Sequence, residues 1–176
     1  KILKVAKELG YSPNMAARAL TTKKTYLIGV IFEDSDMLSG FEHPLFGGLL
    51  NRFREQVETA GYDILFLSKN FGNKKNAYVE HCQYRDVDGV LILNPDLPAK
   101  GLCELSKTGI PCVSTNDFVP GICNIVSENR ITGCKAVEYL FSMGHTKIGY
   151  LGASSSVSSR ASIERQEGYE DAFKKA

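Results

Sequence analysis

Acids, amides and hydroxyls stand just past the ends of apolar runs in this chain. Glu33, Asp34 and Ser35 follow residues 26–32, Asn94 and Asp96 follow 89–93, Asn116 and Asp117 follow 110–114, and Glu128 and Asn129 close 124–127. A ring of carboxylates and amides can exchange hydrogen bonds with the hydroxyls of a sugar, which offer donors and acceptors together. Phe46, two residues after Pro44, can add a flat apolar face for a sugar ring to stack on. Each residue also has a plainer reading. Phe46 falls on a helical stripe that can pack a core, Asp34 and Asp117 are of a type that caps turns and helices, and Glu128-Asn129 can hold a crossover in place.

A second chemistry is concentrated at the N-terminus. Lys1, Lys4, Lys7, Arg18, Lys23 and Lys24 against Glu8 make residues 1–24 net +5 in a chain of formal net charge +1, so the remainder is acidic. Lysine and arginine displace counterions from a phosphate backbone, so this end suits a polyanion; an ordinary solvated helix face can carry the same charges. Pro13 predicts a helix that starts at Pro13 or Asn14 and ends by Leu20. Residues 14–20 fall short of the roughly 12 at which an isolated helix becomes marginal in water, so this helix needs a partner to persist. Before it, residues 1–10 read as an amphipathic helix with Ile2, Leu3, Val5, Ala6 and Leu9 on one stripe and Gly10 as its stop. A lone amphipathic helix has nothing to bury against, which implies that the protein continues before it.

Catalytic patterns are lacking. The sequence has no Gly-x-Ser-x-Gly elbow, no glycine-rich dinucleotide loop after the first apolar run, and no His-x-x-x-His or Cys-x-x-Cys pair. The serines at 154–156 and 158–159 lack the glycine-lysine pattern of a phosphate loop. Five scattered cysteines, Cys82, Cys103, Cys112, Cys123 and Cys134, suit reduced thiols in a cytoplasm better than a disulfide framework or a metal site. No metal and no cofactor is expected.

The elements that must position these groups are legible as an alternation. Strands are predicted over 26–32, 62–67, 89–93, 110–114 and 124–127, with helices near 45–60, 75–85 and 100–108. Leu45, Phe46, Leu49, Leu50, Phe53 and Val57 recur at helical spacing, with Ala60-Gly61 as a stop. Short apolar strands separated by helices imply an α/β fold with a mainly parallel sheet flanked by helices on both faces. Ligands of such sheets bind beyond the carboxyl ends of the strands, where the polar residues above are found. A second pattern follows, with a helix over 131–143, a strand over 147–151 and a helix from 162 to the end. Hydrophobic content of 43% and charged content of 23% are ordinary for a globular protein. No apolar run approaches the roughly 18 residues of a membrane span, and no secretory segment is visible in the residues present.

Several motifs occur in one order. Glu8-Leu9-Gly10-Tyr11-Ser12-Pro13-Asn14, Ala16-Ala17-Arg18-Ala19-Leu20 and Ile28-Gly29-Val30-Ile31 come first. Asp88-Gly89-Val90-Leu91-Ile92, Gly109-Ile110-Pro111, Glu128-Asn129-Arg130, Gly144-His145-Thr146-Lys147-Ile148 and Arg165-Gln166-Glu167-Gly168-Tyr169 follow. As an ordered set they resemble the lactose-repressor family of bacterial transcription regulators, over essentially the whole chain. The resemblance implies a periplasmic-binding-protein-like fold, with an N-terminal effector-binding subdomain nearly complete over 26–128 and a second only begun over 129–176. It makes residues 1–11 the last helix of a helix-turn-helix headpiece and 12–25 a hinge helix with its linker. By the same resemblance the protein extends past both ends of this chain.

What the resemblance implies for function is a cytoplasmic, homodimeric repressor whose affinity for operator DNA responds to a sugar-like effector. It implies DNA contacts from Asn14, Ala17, Arg18 and Leu20, with Leu20 pressed into the minor groove as a wedge. The effector contacts it implies are Asp34 or Ser35, Phe46, Asn116 or Asp117, and Arg165, whose guanidinium can fork onto two ligand oxygens. Two departures stand out: the loop over 35–42 is longer than is usual in the family, and Glu33 replaces a commonly uncharged residue. The competing reading is a periplasmic-type sugar-binding protein with no DNA partner.

Overall fold

The computed structural model describes residues 5, 8–11, 15–33, 40–95, 100–152 and 159–175. In chain order the elements are α1 (Met15–Thr22), β1 (Leu27–Phe32), a short 3₁₀ turn (Gly40–Glu42), α2 (Pro44–Thr59), β2 (Asp63–Phe66) and α3 (Tyr78–Arg85). They continue with β3 (Gly89–Leu93), α4 (Lys100–Leu105), β4 (Cys112–Thr115), β5 (Cys123–Ile125), α5 (Asn129–Ser142) and α6 (Arg160–Lys175).

The strands form one sheet in the order β2-β1-β3-β4-β5, with every neighbouring pair parallel. Successive side chains of a strand point to opposite faces, and helices cover both. On one face Ile31, Val90 and Ile92 pack with Tyr78 and Cys82 of α3 and with Leu102 and Leu105 of α4. On the other, Leu49, Phe53 and Val57 of α2 meet Ile28, Leu91, Val113, Cys123 and Ile125 around an apolar groove of about 730 Å³. The central strand β3 is buried at all five positions, as the run Gly-Val-Leu-Ile-Leu requires.

Local chemistry sets the ends. Pro44 opens α2, where its missing N–H leaves no bond unmade, and Gly61 follows its last turn at φ +80°. Gly29 in β1 lets Leu67 approach: a Cβ there would lie 2.5 Å from Leu67 Cδ1.

Helices α5 and α6 pack against each other beside the sheet, burying Cys134, Val137 and Ala172 with Phe141, Ile148 and Tyr169. Two glycines set their separation. A Cβ on Gly133 would lie 2.5 Å from Arg165 O, and one on Gly168 would run into Arg130 O and Cys134 N. Arg130 ties the helices on the surface, its Nε 2.6 Å from Asp171 and its Nη1 3.2 Å from Glu167. The Arg130 guanidinium holds the Asp171 carboxyl below its ordinary value.

Two expectations need correction. Helix α1 runs past Leu20 to Thr22. Residues 147–151 form no strand among the described residues, and Ile148 O instead accepts a hydrogen bond from Tyr169 Oη at 2.8 Å. Their alternating apolar pattern has no described neighbouring strand to ladder with, so it docks on α6.

Candidate functional site

The carboxyl ends of β1, β3 and β4 are tied together by amides. Asn94 Nδ2 donates to Glu33 O at 2.8 Å, and Asn116 Nδ2 donates to Asn94 Oδ1 at 2.8 Å. Both asparagines adopt left-handed backbone, φ +53° and φ +75°, the residue type that tolerates it best after glycine. Each strand therefore stops and turns at the point where its side chain reaches the next strand end. Main-chain bonds Glu33 N to Leu93 O and Asn116 N to Ile125 O, both 3.3 Å, complete the rim. The amide bridge is half-buried, so part of it is open to solvent while its hydrogen bonds hold both side chains in place.

Glu33 turns to the α3 side. Its carboxylate is buried and accepts from Tyr78 Oη at 2.5 Å, with Lys69 Nζ 3.5 Å away. A buried carboxylate persists only when its charge is met, and here a phenol and an ammonium meet it. Lys69 and Tyr78 lie outside the sequence-predicted set, as does Asn94 as a bridge. Asn94 carries a readable signal, a polar residue at a strand end, whereas Lys69 and Tyr78 reach Glu33 across 36 and 45 positions of chain and have none.

Asn116 belongs to the bridge. Asp117 is buried and accepts from Phe118 N at 2.7 Å, the local turn role that an aspartate after a strand commonly takes. Ser114 Oγ closes the same turn by donating to Asp117 O at 3.1 Å. Phe46 is 3% exposed, packed against His43 at 4.7 Å and Phe32 at 5.7 Å between ring centres. The accessible ring of this group is Phe41, 55% exposed and stacked on Phe32 at 5.2 Å. Sequence spacing could not distinguish them, because Phe41 precedes the helical stripe that drew attention to Phe46.

Arg165 is exposed on α6, and its Nε donates to Asn129 Oδ1 at 2.9 Å. Asn129, buried at the start of α5, in turn donates to Ser127 O at 3.0 Å. One nitrogen thus braces the guanidinium against the start of α5. The α6 helix also touches the rim: the Arg160 guanidinium sits 5.0 Å above the Phe118 ring, beside Asp117, while Glu164 accepts from its Nε at 2.7 Å. Asn116 and Asp117 share a rim that α6 contacts, and Arg165 lies on that helix.

Leu20 is 84% exposed on α1. Ala17 and Arg18 belong to α1, but their side chains, like Asn14, Asp34 and Ser35, lie outside the described residues. No cluster of His, Cys, Asp and Glu suited to a metal occurs among the described residues, and no described helix is long and apolar enough to cross a membrane. Burial pushes the Cys82 thiol up to about 12 and the Cys112 thiol up to about 11, which keeps both protonated and unreactive near neutral pH.

The chain is similar to the sucrose operon repressor of Pediococcus pentosaceus, 30% identical over 172 residues that cover 97% of this chain and 50% of that protein. Against the HTH-type transcriptional regulator GalR of Escherichia coli it is 28% identical over 169 residues, 94% of this chain and 47% of that one. Among solved structures, the lac repressor dimer bound to operator and an anti-inducer superimposes with a TM-score of 0.73 at 21% identity, over 99% of this chain and 52% of that one. The chain thus spans about half the length of the curated relatives it matches. Residues 25–176 match the model described as periplasmic binding proteins and sugar binding domain of LacI family. The parallel five-stranded sheet flanked by helices agrees with that match, which covers most of the sequence, and the chain belongs to the LacI family.

Proposed function

We propose that this chain is the hinge and sugar-receptor portion of a cytoplasmic, homodimeric repressor whose hold on operator DNA is set by a small sugar-like effector. The observation that carries this reading is the separation of two chemistries at opposite ends of one parallel sheet. The amide-bridged rim lies at the carboxyl ends of the strands, and α1 joins the amino end of β1. In this reading Asp34, Ser35, Phe46, Asn116, Asp117 and Arg165 surround the effector, with Phe41 as the ring that its apolar face meets. Asn14, Ala17, Arg18 and Leu20 meet DNA, where the exposed Leu20 wedges a base step and Arg18 neutralises phosphate. Residues 26–128 form the first effector-binding subdomain and 129–176 begin the second. The protein carries out no catalysis: effector binding favours one arrangement of the subdomains, and DNA favours one, so each alters the affinity of the other by the same factor.

The test uses the intact gene product, duplexes selected from a random pool at low salt, and a panel of mono- and disaccharides titrated by calorimetry. Leu20→Ala is expected to weaken selected-duplex binding at least tenfold and leave sugar affinity within about twofold. Arg165→Ala is expected to weaken sugar binding about 10- to 100-fold, the loss of a charge-assisted pair, with duplex binding in the absence of sugar retained. Sugar binding with no affinity for any duplex overturns the repressor reading in favour of a periplasmic-type binding protein.

A further inference from the structure

At the amino ends of the strands, one carboxylate gathers the chain that joins α1 to β1. Asp88, the residue before β3, accepts on Oδ1 from Thr25 N at 3.0 Å and on Oδ2 from Tyr26 N at 2.9 Å, while its own N–H donates to Leu27 O at 2.8 Å. The Thr25 hydroxyl lies 3.0 Å from Asp88 Oδ1 and 2.6 Å from Asp86 O, so its proton closes the same corner. Asp63 N, at the head of β2, donates to Tyr26 O at 2.8 Å. Three consecutive residues, 25 to 27, are thereby fixed to the heads of β2 and β3.

The backbone there is unusual. Tyr26 has φ +56° and Lys23 has φ +53°, conformations that bulky residues rarely adopt and keep only where surrounding bonds over-determine them. Lys23 N closes α1 by donating to Ala19 O at 2.8 Å, and Ala19 and Leu20 line a hollow with Thr25, Leu27, Asp63 and Arg85. The direction in which α1 leaves the sheet is therefore decided within Lys23 to Tyr26. The strand that begins after Asp88 is buried throughout and ends beside Asn94, a member of the amide bridge.

We infer that Asp88 is a positioning residue: its carboxylate clamps the Thr25-Tyr26 linker to the head of β3 and sets the direction of the basic helix relative to the effector rim at the strand's other end. The clamp stands on geometry alone; its regulatory consequence rests on the proposed function. An eight-residue helix is too short to hold its own orientation, so what fixes its root fixes it.

Trypsin reads the clamp directly in this chain, since Lys23 and Lys24 adjoin it. Asp88→Ala is expected to speed cleavage after Lys23 and Lys24 about tenfold, and Thr25→Val, which removes only the hydroxyl, about two- to threefold. Amide exchange over residues 90–93 should stay at the parent rate in both. Unchanged cleavage in Asp88→Ala, or acceleration matched by equal loss of protection in β3, overturns the clamp. In the intact gene product, Asp88→Ala should weaken duplex binding about tenfold while sugar affinity stays within about twofold. Equal losses of both, or of neither, overturn the regulatory role. A parent protein without duplex affinity overturns the repressor reading and leaves the protease result to judge the clamp.

Discussion

Around β3 the buried residues are large and aliphatic, Ile31, Ile92, Leu102 and Leu105, whereas between α5 and α6 they are small, Cys134, Val137 and Ala172, with backbone meeting backbone at Gly133 and Gly168. The sheet body is stabilised mainly by apolar area removed from water, about 25 cal/mol per Å². The helix pair gains from close approach and from exposed ion pairs, which individually contribute little. It also leaves Ile131, Tyr139 and Ile163 on its surface. The body and the pair should therefore fail in different ways: the body when volume is deleted, the pair when volume is added.

The largest expected effect is in the body. Ile92→Ala deletes a fully buried side chain from the central strand and should lower stability by about 2–5 kcal/mol, read as a fall in the main thermal transition. A loss below 1 kcal/mol would erase the distinction between the two cores. Next comes Gly168→Ala, expected to cost about 1–3 kcal/mol because the added methyl meets the α5 main chain, which cannot rotate away. Its signature is faster amide exchange in α5 and α6 with β3 protection unchanged; parallel loss in both would show one cooperative unit.

Mild acid should sharpen the contrast. Asp171, held below the ordinary aspartate value by Arg130, and Glu138, held down by Cys134 and Lys175, support the helix pair. A carboxyl depressed in the folded state contributes stability above its unfolded value, and that contribution is lost as pH falls through the folded value. Below about pH 4 the pair should lose exchange protection before the apolar body does, and added salt at neutral pH should act in the same direction. The smallest effect is chemical. In native chain at pH 8, iodoacetamide should label exposed Cys123 first and spare Cys82 and Cys112, whose thiols remain protonated; mass spectrometry of early adducts decides it.

The rim and the linker show where reading from sequence stops. Periodicity placed β3 at its observed bounds and α2 within one residue at each end, because both patterns are local and strong. Residues 147–151 also carry apolar side chains, Ile148, Tyr150 and Leu151, yet a strand exists only with a neighbour, and neighbours are not a local property. Asn116 was readable as a polar residue past a strand; that it bonds Asn94, 22 positions away, was not. Helical spacing singles out Phe46 and passes over Phe41 for the same reason: it marks burial and is silent about which neighbouring ring stays exposed.

Composition and order of motifs by themselves determined the class of fold, the basic N-terminal end and the family, since each depends on residue type and on distances along the chain. Tertiary structure alone decided that Glu33 is met by Lys69 and Tyr78, that Arg165 is braced by Asn129, and that Asp88 grips Thr25 and Tyr26 across more than 60 residues. The reason is physical: a hydrogen bond forms between atoms about 3 Å apart, and only the folded sheet brings residues so distant in sequence to that separation.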